Sequence, residues 1–504
     1  MATDCLGGTE AMEVDHVNRK PSRPRACRTP WTLGVLLCLT GGCRVLPEIG
    51  VCKRQLNPEL LVNVRPEGNQ VSSGTHAVAA MPLTGAFAVF FSDVSGSFTE
   101  QNTEIRGTLL DDDGKRVDTC GEPQEVTYAS PVAGAAPVQR LYGASVAPPV
   151  TADTDALGLI AYVWLNADAY DSTNDSFTNA SGQIFGAAIS AIGCPVKGVT
   201  AFQISNENPG NIVSPPAVVA LGKNRFVVLW TVLQSPSFML RARVFDLTTM
   251  GPSYLDTTNP LTGFPTAGEA VSIRPAGEQP VDLDAVGLGD NRFALAWVSI
   301  PEFGGGVTVH IGIFDDRLGL ENQPVVIDDG SASASMPSDL RIALAYDGNQ
   351  LMIAWPQRDA NSVSRVYGRL VNGAGFPTSD SFRLGSRVEG EEGGVSLTAQ
   401  NGGGFLCTWE EQEASGGGES GVSLRLAAYS AAGAEQFTNQ ACDRSDFRLN
   451  RAAPGNQRWA SLTKMSNGTV EAVWTDFGST EVNSRGTSEI RSVAISQRAL
   501  LPQE

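Results

Sequence analysis

The chain is 504 residues long and carries 54 acidic residues against 36 Lys and Arg residues, which gives a formal net charge of −18 at pH 7. Phosphate binding needs a basic surface, so this composition argues against a nucleic-acid partner. The 54 glycines and the charged fraction of 18% suit short strands joined by many turns better than a helical protein.

The N-terminal segment predicts export. Basic residues precede a short apolar run from Trp31 to Thr40, and two glycines follow it, which is the order found in a cleavable signal. The run is too short for a comfortable transmembrane span. We therefore expect residues 1–42 to be an N-terminal extension with an export signal. An ordinary tail with one apolar helix is the alternative.

The end of this segment, Leu39-Thr40-Gly41-Gly42-Cys43, resembles the lipobox of bacterial lipoproteins, in which the cysteine is lipidated and becomes the new N-terminus. The family's pattern has Leu three residues before the cysteine, whereas this chain has Thr40 there. The resemblance implies lipidation of Cys43, a tether over residues 43–58 and membrane contact only through the N-terminal anchor.

The strongest pattern in the chain is an apolar run that ends in an aromatic residue and occurs seven times. The seven aromatic residues are Phe91, Trp164, Trp230, Trp297, Trp355, Trp409 and Trp474. They lie 54 to 73 residues apart and include six of the eight tryptophans. Such regular spacing indicates a repeat protein with one structural unit per copy.

Each copy predicts four strands. An apolar run and a tight turn precede the aromatic run, as in Val218–Leu221 before Gly222–Asn224, and Gly and Asn tolerate the positive φ of a short hairpin. An alternating run such as Arg241–Asp246 follows, and then a fourth strand such as Ala270–Ile273. Four antiparallel strands per copy make a β-propeller blade.

We therefore predict an all-β fold, a seven-bladed β-propeller of four-stranded antiparallel blades over residues 59–504. The seventh copy ends after Glu489–Ile495 without a fourth strand, and the apolar run Leu60–Val64 supplies one from the N-terminal side. This closure removes an open sheet edge. It resembles the closure of tryptophan–aspartate repeat propellers, although their Gly-His and Trp-Asp signatures are absent. A pair of β-sandwiches and a six-bladed ring with a separate N-terminal strand pair are the alternatives.

The cysteines predict two disulfides. Cys52, Cys120, Cys194 and Cys442 each fall between a third and a fourth strand of the repeat. Neighbouring blades would pair Cys120 with Cys194 and Cys52 with Cys442, which implies an oxidising compartment. Cys407 lies in a core strand, where we expect a small buried hydrophobe rather than a reactive thiol.

The chain offers few groups for catalysis. Of its three histidines, His16 lies in the signal region, while His76 and His310 fall on different blades without a nucleophile motif. We therefore predict no catalytic residue, no histidine metal site and no cofactor. The run Asp111–Gly114 lacks the alternate spacing and distant Glu of an EF-hand, so we predict an ordinary hairpin turn there.

The loops after the aromatic position are acidic in blades 2, 6 and 7. Their carboxylates are Asp168, Asp171, Asp175, Glu410, Glu411, Glu413, Glu419, Asp476 and Glu481. In a propeller these loops share one face with the blade-to-blade connections, where ligands commonly bind. One interpretation is an acidic face that attracts a cationic partner or Ca²⁺. The other is a set of solvated loops that keep the protein soluble.

The export pattern and the degenerate repeats resemble the propeller-repeat lipoproteins of bacterial envelopes over residues 43–504. That resemblance implies a protein of the periplasm or outer membrane, or a secreted one, that binds a protein or glycan through its loop face. We expect a monomer. A carbohydrate-active enzyme with paired acidic residues at the channel mouth is the alternative, and a purely structural envelope component is a third. Convergent carboxylates would favour the enzyme, and a broad apolar patch would favour a protein partner.

Overall fold

The repeat folds as a series of antiparallel sheets. The computed structural model describes residues 58–64, 69–72, 77–80, 85–94, 103–117, 126–129, 138–146, 159–167, 169–171, 176–178, 183–190, 193–195, 201–205, 214, 216–222, 224–234, 237–248, 251–255, 257–258, 265–266, 271–272, 278–301, 307–329, 340–385, 390–412, 421–436, 446–450, 455–478 and 488–496. Among these residues there is no helix with the length and apolar character to span a membrane. The predicted export signal and Cys43 lie outside them.

Each of the seven copies forms one blade. Blade 7 takes in the first strand of the chain, β1 (Leu60–Leu61). Blade 1 contains β2 (Asn69–Val71), β3 (Val78–Ala80), β4 (Phe87–Val94), β5 (Thr103–Leu110), β6 (Arg116–Val117) and β7 (Val126–Ala129). Blade 2 contains β8 (Val138–Val146), β9 (Leu159–Ala167), the small hairpin β10 (Ala169–Asp171) and β11 (Ser176–Thr178), then β12 (Ile184–Ser190) and β13 (Phe202–Gln203). Blade 3 contains β14 (Ala217–Gly222), β15 (Arg225–Gln234), β16 (Ser237–Thr248), β17 (Gly251–Tyr254), the hairpin β18 (Thr257–Thr258) and β19 (Pro265–Thr266), and β20 (Val271–Ser272).

The remaining blades are more regular. Blade 4 contains β21 (Glu278–Gly289), β22 (Arg292–Pro301), β23 (Thr308–Asp315) and β24 (Val325–Asp328). Blade 5 contains β25 (Ala343–Tyr346), β26 (Gln350–Arg358), β27 (Ser364–Asn372) and β28 (Phe382–Arg383). Blade 6 contains β29 (Glu392–Ala399), β30 (Phe405–Gln412), β31 (Val422–Tyr429) and β32 (Phe447–Arg448). Blade 7 contains β33 (Gln457–Lys464), β34 (Val470–Asp476) and β35 (Glu489–Ile495), and β1 completes it.

The strands of each blade pair in chain order, from the first strand at the centre to the fourth at the outside. Two blades depart from this pattern. In blade 1, β2 and β3 both pair with β4, and β6 and β7 both pair with β5; in blade 3, β17 and β20 both pair with β16. The fourth strand predicted at Ala270–Ile273 is therefore only part of the outer edge of blade 3.

The first strands form a closed ring. Neighbours in the series β3, β8, β14, β21, β25, β29 and β33 contact each other, and β33 contacts β3. Seven first strands thus surround one channel, which confirms the seven-bladed propeller and rules out both a pair of sandwiches and a six-bladed ring.

The N-terminal strand closes this ring, as predicted. Leu60 pairs with Ser492, and Leu61 pairs with Arg491. Beyond these pairs, the Arg116 guanidinium of blade 1 donates from Nη2 to the carbonyl oxygens of Leu61, Val62 and Asn63, at 3.0, 3.2 and 3.2 Å. The closing strand is consequently held both within its own sheet and by the next blade.

The core lies between the blades. In blade 3, Phe226, Val228 and Trp230 pack towards blade 2, whereas Val227 and Leu229 pack towards blade 4. Successive side chains of a strand point to opposite faces. Both faces are buried here, which explains why the aromatic runs read as continuous apolar stretches rather than as alternating ones.

A recurrent side-chain bond shapes the turns between the third and fourth strands. Asp111 Oδ1 accepts the N–H groups of Asp113 and Lys115 at 3.1 and 2.7 Å, while Gly114 adopts a positive φ of 76° that suits glycine. The hairpin turn predicted at Asp111–Gly114 is confirmed. The same bond recurs at Asp315, Asn372 and Ser430.

The cysteine predictions are tested at Cys407. Cys407 is fully buried in β30 and free, and burial raises the pKa of its thiol, so its predicted role as a small hydrophobe holds. Cys194 lies in the turn after β12. The other three cysteines of the predicted pairs lie outside the described residues, so the pairing itself stays a prediction.

A buried acid lies at the seam between the last and the first blade. Glu471 shares a face of β34 with Val473, which packs against Val78 and Phe87 of blade 1. The Glu471 side chain has 1% exposure. Burial raises its pKa to about 8, against a smaller opposite effect of a hydrogen bond with Ser492. The protonated carboxyl is therefore the form that this seam accommodates.

Replacing Glu471 with Gln should stabilise the fold, and the gain should grow as the pH rises from about 4.5 to about 8. The carboxyl ionises near its usual pKa in the unfolded chain but stays protonated up to the higher pKa in the folded chain, so each pH unit in this window costs the wild type about 1.4 kcal/mol. Urea unfolding at both ends of the window measures the gain. The same substitution at the exposed Glu435 is the control, and an equal pH slope for wild type and Glu471→Gln would contradict the prediction.

Replacing Arg116 with Ala should loosen the closure, because three carbonyl oxygens of the N-terminal strand lose a charged donor. We expect a loss of about 1–3 kcal/mol in the free energy of unfolding and faster hydrogen exchange at the amides of β1. Lys115→Ala, at the exposed neighbouring position, should leave both unchanged. Unaltered exchange in the Arg116 variant would show that β1 is held by its sheet alone.

Candidate ligand site at the channel mouth

Three of the acidic residues predicted for a binding face are buried rather than exposed. Glu410 and Glu411 lie inside β30, and Asp476 ends β34; all three side chains are buried. Asp171 is in the small strand β10. The others, Asp168, Asp175, Glu413, Glu419 and Glu481, lie outside the described residues.

Ion pairs explain the burial. Glu411 pairs with Arg425. Asp476 Oδ2 forms an ion pair with Arg491, 2.8 Å from Nε, and Asp476 Oδ1 accepts a hydrogen bond from Gln457 Nε2 at 3.1 Å. A carboxylate in such a position makes its hydrogen bonds and ion pairs within the protein, so it is not available to bind a partner. The interpretation as an exposed acidic face is therefore wrong for Glu410, Glu411 and Asp476.

This arrangement belongs to three consecutive blades. The residue that faces the repeat aromatic from the third strand is Arg106 in blade 1, Arg425 in blade 6 and Arg491 in blade 7. Each binds the acid two positions after the aromatic, as Arg106 does with Asp93 at 2.9 Å. Burial still raises the pKa of Asp93, although Gln70 and Arg106 donate to it. In blade 4 the equivalent position holds His310, which is buried and stacked on Trp297 with ring centroids 5.2 Å apart.

Carboxylates also hold the channel-facing edge of the first strands. Asp282 and Asp284 of β21 accept the N–H groups of Ile342 and Leu344 in blade 5, each at 2.8 Å. A first strand has no neighbouring strand on its channel side, so its amides need other acceptors. Burial raises the pKa of Asp282 to about 7, while the bond from Ile342 and the charge of Arg341 oppose the shift.

Trp459 is held in an unusual backbone conformation in the same region. It lies in an irregularity of β33 between Arg458 and Ser461 and has a φ of +57°, which is rare for a bulky side chain. Its N–H donates to Glu410 Oε1 at 2.7 Å, and its carbonyl accepts from Ser72 Oγ at 2.9 Å. Two neighbouring blades thus hold the residue in a strained geometry, of the kind found at ligand clamps and active sites.

Two guanidinium groups lie beside Trp459. Arg341, just before β25, places its Cζ 5.6 Å from the centroid of the indole ring and acts electrostatically on Asp282. Arg458 Nε lies 4.0 Å from Glu410 Oε2, and the Arg458 side chain is 40% exposed. Arg341 is partly exposed as well.

These side chains form a connected set that we call the mouth cluster. Its members come from blades 4, 5, 6 and 7, at the end of the channel where the first strands begin, and are Asp282, Arg341, Glu410, Arg458 and Trp459. The acids are buried and hold backbone amides, whereas the cations reach solvent. The partly exposed arginines of the cluster can therefore contact a ligand, whereas its buried carboxylates are poorly accessible to one.

One signal in the sequence could have revealed part of this cluster. Trp459 is one of the two tryptophans that do not occupy the repeat aromatic position, and Asp282 and Asp284 interrupt an apolar first strand at alternate positions. Arg341 carries no such signal.

The described part of the chain contains no group of three or more His, Cys, Asp or Glu residues that could hold a metal ion. Ca²⁺ binding elsewhere, by the acidic loops, remains a prediction.

Comparison with known proteins finds no relative in sequence, and the similar solved structures are distant. No family model and no curated protein matches the chain. Among solved structures, the polysaccharide lyase Uly1 matches with a TM-score of 0.46 and 9% identity over 87% of this chain and 98% of that one. The NanB sialidase of Streptococcus pneumoniae has a TM-score of 0.43 and 8% identity over 88% and 71%. A protein of unknown function from Dyadobacter fermentans has a TM-score of 0.43 and 8% identity over 87% and 98%.

Replacing Asp282 with Asn should leave the fold intact and should remove a pH dependence of the free energy of unfolding. The amide oxygen can still accept the N–H of Ile342. In the wild type, stability should fall by about 1.4 kcal/mol per unit as the pH rises from about 4 to about 7, because the folded state opposes ionisation up to the raised pKa. Urea unfolding across that range measures the slope. Asp290→Asn, in an exposed turn, is the control, and the prediction fails if Asp282→Asn retains the wild-type slope.

The strand pairing of the chain itself, with seven first strands closed into a ring, establishes an all-β, seven-bladed propeller.

Proposed function

We propose that this protein is an exported, membrane-anchored propeller that binds a glycan at the channel mouth without transforming it. The observation that carries the proposal is the division of roles in the mouth cluster. Its two acids are buried and bound to scaffold amides, whereas Arg341 and Arg458 reach solvent.

Catalysis by paired carboxylates is poorly supported by this division. Glycoside hydrolysis needs two carboxyl groups that flank the scissile bond and are free to exchange protons with it or attack it. Asp282 and Glu410 are 9% and 6% exposed, and each accepts an amide of the neighbouring blade. Bringing either to a substrate would break a bond that holds two blades together.

A glycan suits the partly exposed guanidinium groups of Arg341 and Arg458. Guanidinium groups present several N–H donors in one plane, and they bind sugar hydroxyl and carboxylate oxygens well. The described exposed large apolar residues, Leu61, Val64, Val326 and Phe376, lie outside the mouth cluster. The cluster thus provides polar recognition rather than the apolar patch that favours a protein partner.

Export remains part of the proposal. The two disulfides predicted from the cysteine positions would require an oxidising compartment, and lipidation of Cys43 would anchor the chain there. Mass spectrometry of the protein from a native membrane fraction tests the anchor, since Cys43→Ala should abolish both the lipid mass and the membrane association.

The carbohydrate-active enzyme stays a second candidate because the carboxyl groups of Asp282 and Glu410 both lie in the mouth cluster. The pKa of Asp282, about 7, is that of an effective general acid at neutral pH. This role would need Asp282 to leave the amide of Ile342 during turnover.

A panel of neutral and acidic polysaccharides separates these candidates. We expect the purified protein to bind at least one member saturably in calorimetry and to release neither reducing ends nor unsaturated products. Turnover that disappears in both Asp282→Asn and Glu410→Gln, but persists in the control Asp290→Asn, would replace the binding proposal with the enzyme.

A further inference from the structure

We propose that the closure of the ring is sensitive to pH. The seam between blades 7 and 1 opens locally as Glu471 ionises, and this opening releases the N-terminal strand β1 while the other blades stay folded. The two ends of the propeller meet at this seam, since β1 pairs with β35, the last strand. The opening is a property of the scaffold and does not depend on what the channel mouth binds.

The surroundings of Glu471 accommodate a neutral carboxyl but not a charged one. The side chain is 1% exposed, and its Oε1 makes no hydrogen bond to any described residue. In the neighbouring strands of the sheet, the uncharged Thr463 and Ala494 lie opposite Glu471. A carboxylate in such a place loses its hydration without compensation, so Glu471 ionises readily only where water reaches it.

No nearby cation compensates for that charge among the described residues. On the seam-facing side of blade 1, the charged groups are Asp93, Glu104, Arg106 and Arg116. Arg106 pairs with both acids, and Arg116 donates to carbonyl oxygens of the closing strand. On blade 7, Glu471 shares its face of β34 with the uncharged Val473 and Thr475. None of these charges contributes to the shift in the pKa of Glu471, which burial raises to about 8.

The closing strand is the element that an open seam frees. β1 forms two pairs with β35, and the Val62 N–H adds a bond to the Ile490 carbonyl at 2.8 Å. Val62 is fully buried in the same apolar cluster as Val473 and Phe87, while Arg116 of blade 1 binds the same segment. This segment is thus bonded to both blades, and their separation breaks one of its two sets of contacts. Elements held by few contacts open at a lower free energy than the global fold.

The closure is tightest in acid. In the open seam water reaches Glu471, whose pKa then has its ordinary value of 4.5, whereas burial in the closed seam raises it to about 8. The opening equilibrium should therefore increase about tenfold for each pH unit between these two values. Below this range Glu471 is neutral in both states, and above it the group is ionised in both, so the opening no longer changes with its titration.

Hydrogen–deuterium exchange of the full-length protein at pH 5 and pH 8 tests this opening. After correction for the intrinsic exchange rate, we expect the protection of the β1 amides to fall by up to about a thousandfold between the two pH values. At both values it should stay below the protection of β26 in blade 5. Glu471→Gln and Glu471→Leu should each remove the fall, because neither new side chain titrates. Glu435→Gln, at an exposed position after β31, is the control and should keep it.

Three results would overturn the inference. Equal protection of β1 and β26 at both pH values would show that the closing strand is released only when the whole ring unfolds. Protection of β1 that stays constant between pH 5 and pH 8 would show that the seam tolerates the ionised carboxylate. A fall that persists in both Glu471 variants would assign the pH dependence to another group.

Discussion

The whole molecule depends on the packing of each blade against its two neighbours. A single four-stranded blade exposes two apolar faces and cannot bury either alone, so stability requires a complete ring. The repeat aromatic residues lie in these interfaces, where Trp230 packs towards one neighbour and Val227 and Leu229 towards the other. Because the interfaces between blades are alike, the seam where the two ends of the chain meet limits the stability of the ring. β1, Arg116 and Glu471 all lie at that seam.

The ring geometry creates a second requirement at the channel. The first strands have no sheet partner on their inner side, and their amides must be satisfied by side chains or water. This chain uses Asp282, Asp284 and Glu410 for amides of neighbouring blades. These three carboxylates are thereby committed to the structure of the scaffold. The hydrogen bonds that the scaffold requires thus determine which side chains of the mouth cluster can bind a ligand.

The sequence predicts the blades and the closure but not the mouth cluster. The number of strands and the position of Trp230 follow from the local periodicity of the sequence. The pairing of β1 follows from the count of strands in the repeats. The acceptor roles of Asp282 and Glu410 depend on which amide of another blade lies opposite, and that register is invisible when the partners are 60 and 49 residues away. The acidic-face interpretation is wrong for Glu410, Glu411 and Asp476 for the same reason. Glu411 and Asp476 read as loop residues, although long second strands and opposing arginines place them inside the protein.

Trp459 connects the scaffold to the site. A regular β33 would direct the residues after Arg458 alternately to its two faces, and the irregularity instead lets a tryptophan adopt a φ of +57° and lie beneath Arg341. Such a conformation costs about 1–3 kcal/mol, and no interblade apolar cluster includes this ring. The conformation persists because Glu410 and Ser72 bind both backbone groups of the residue. Two neighbouring blades hold Trp459 in this strained conformation, which places the Arg341 cation at the open end of the channel. Ligand recognition explains such an arrangement better than folding does.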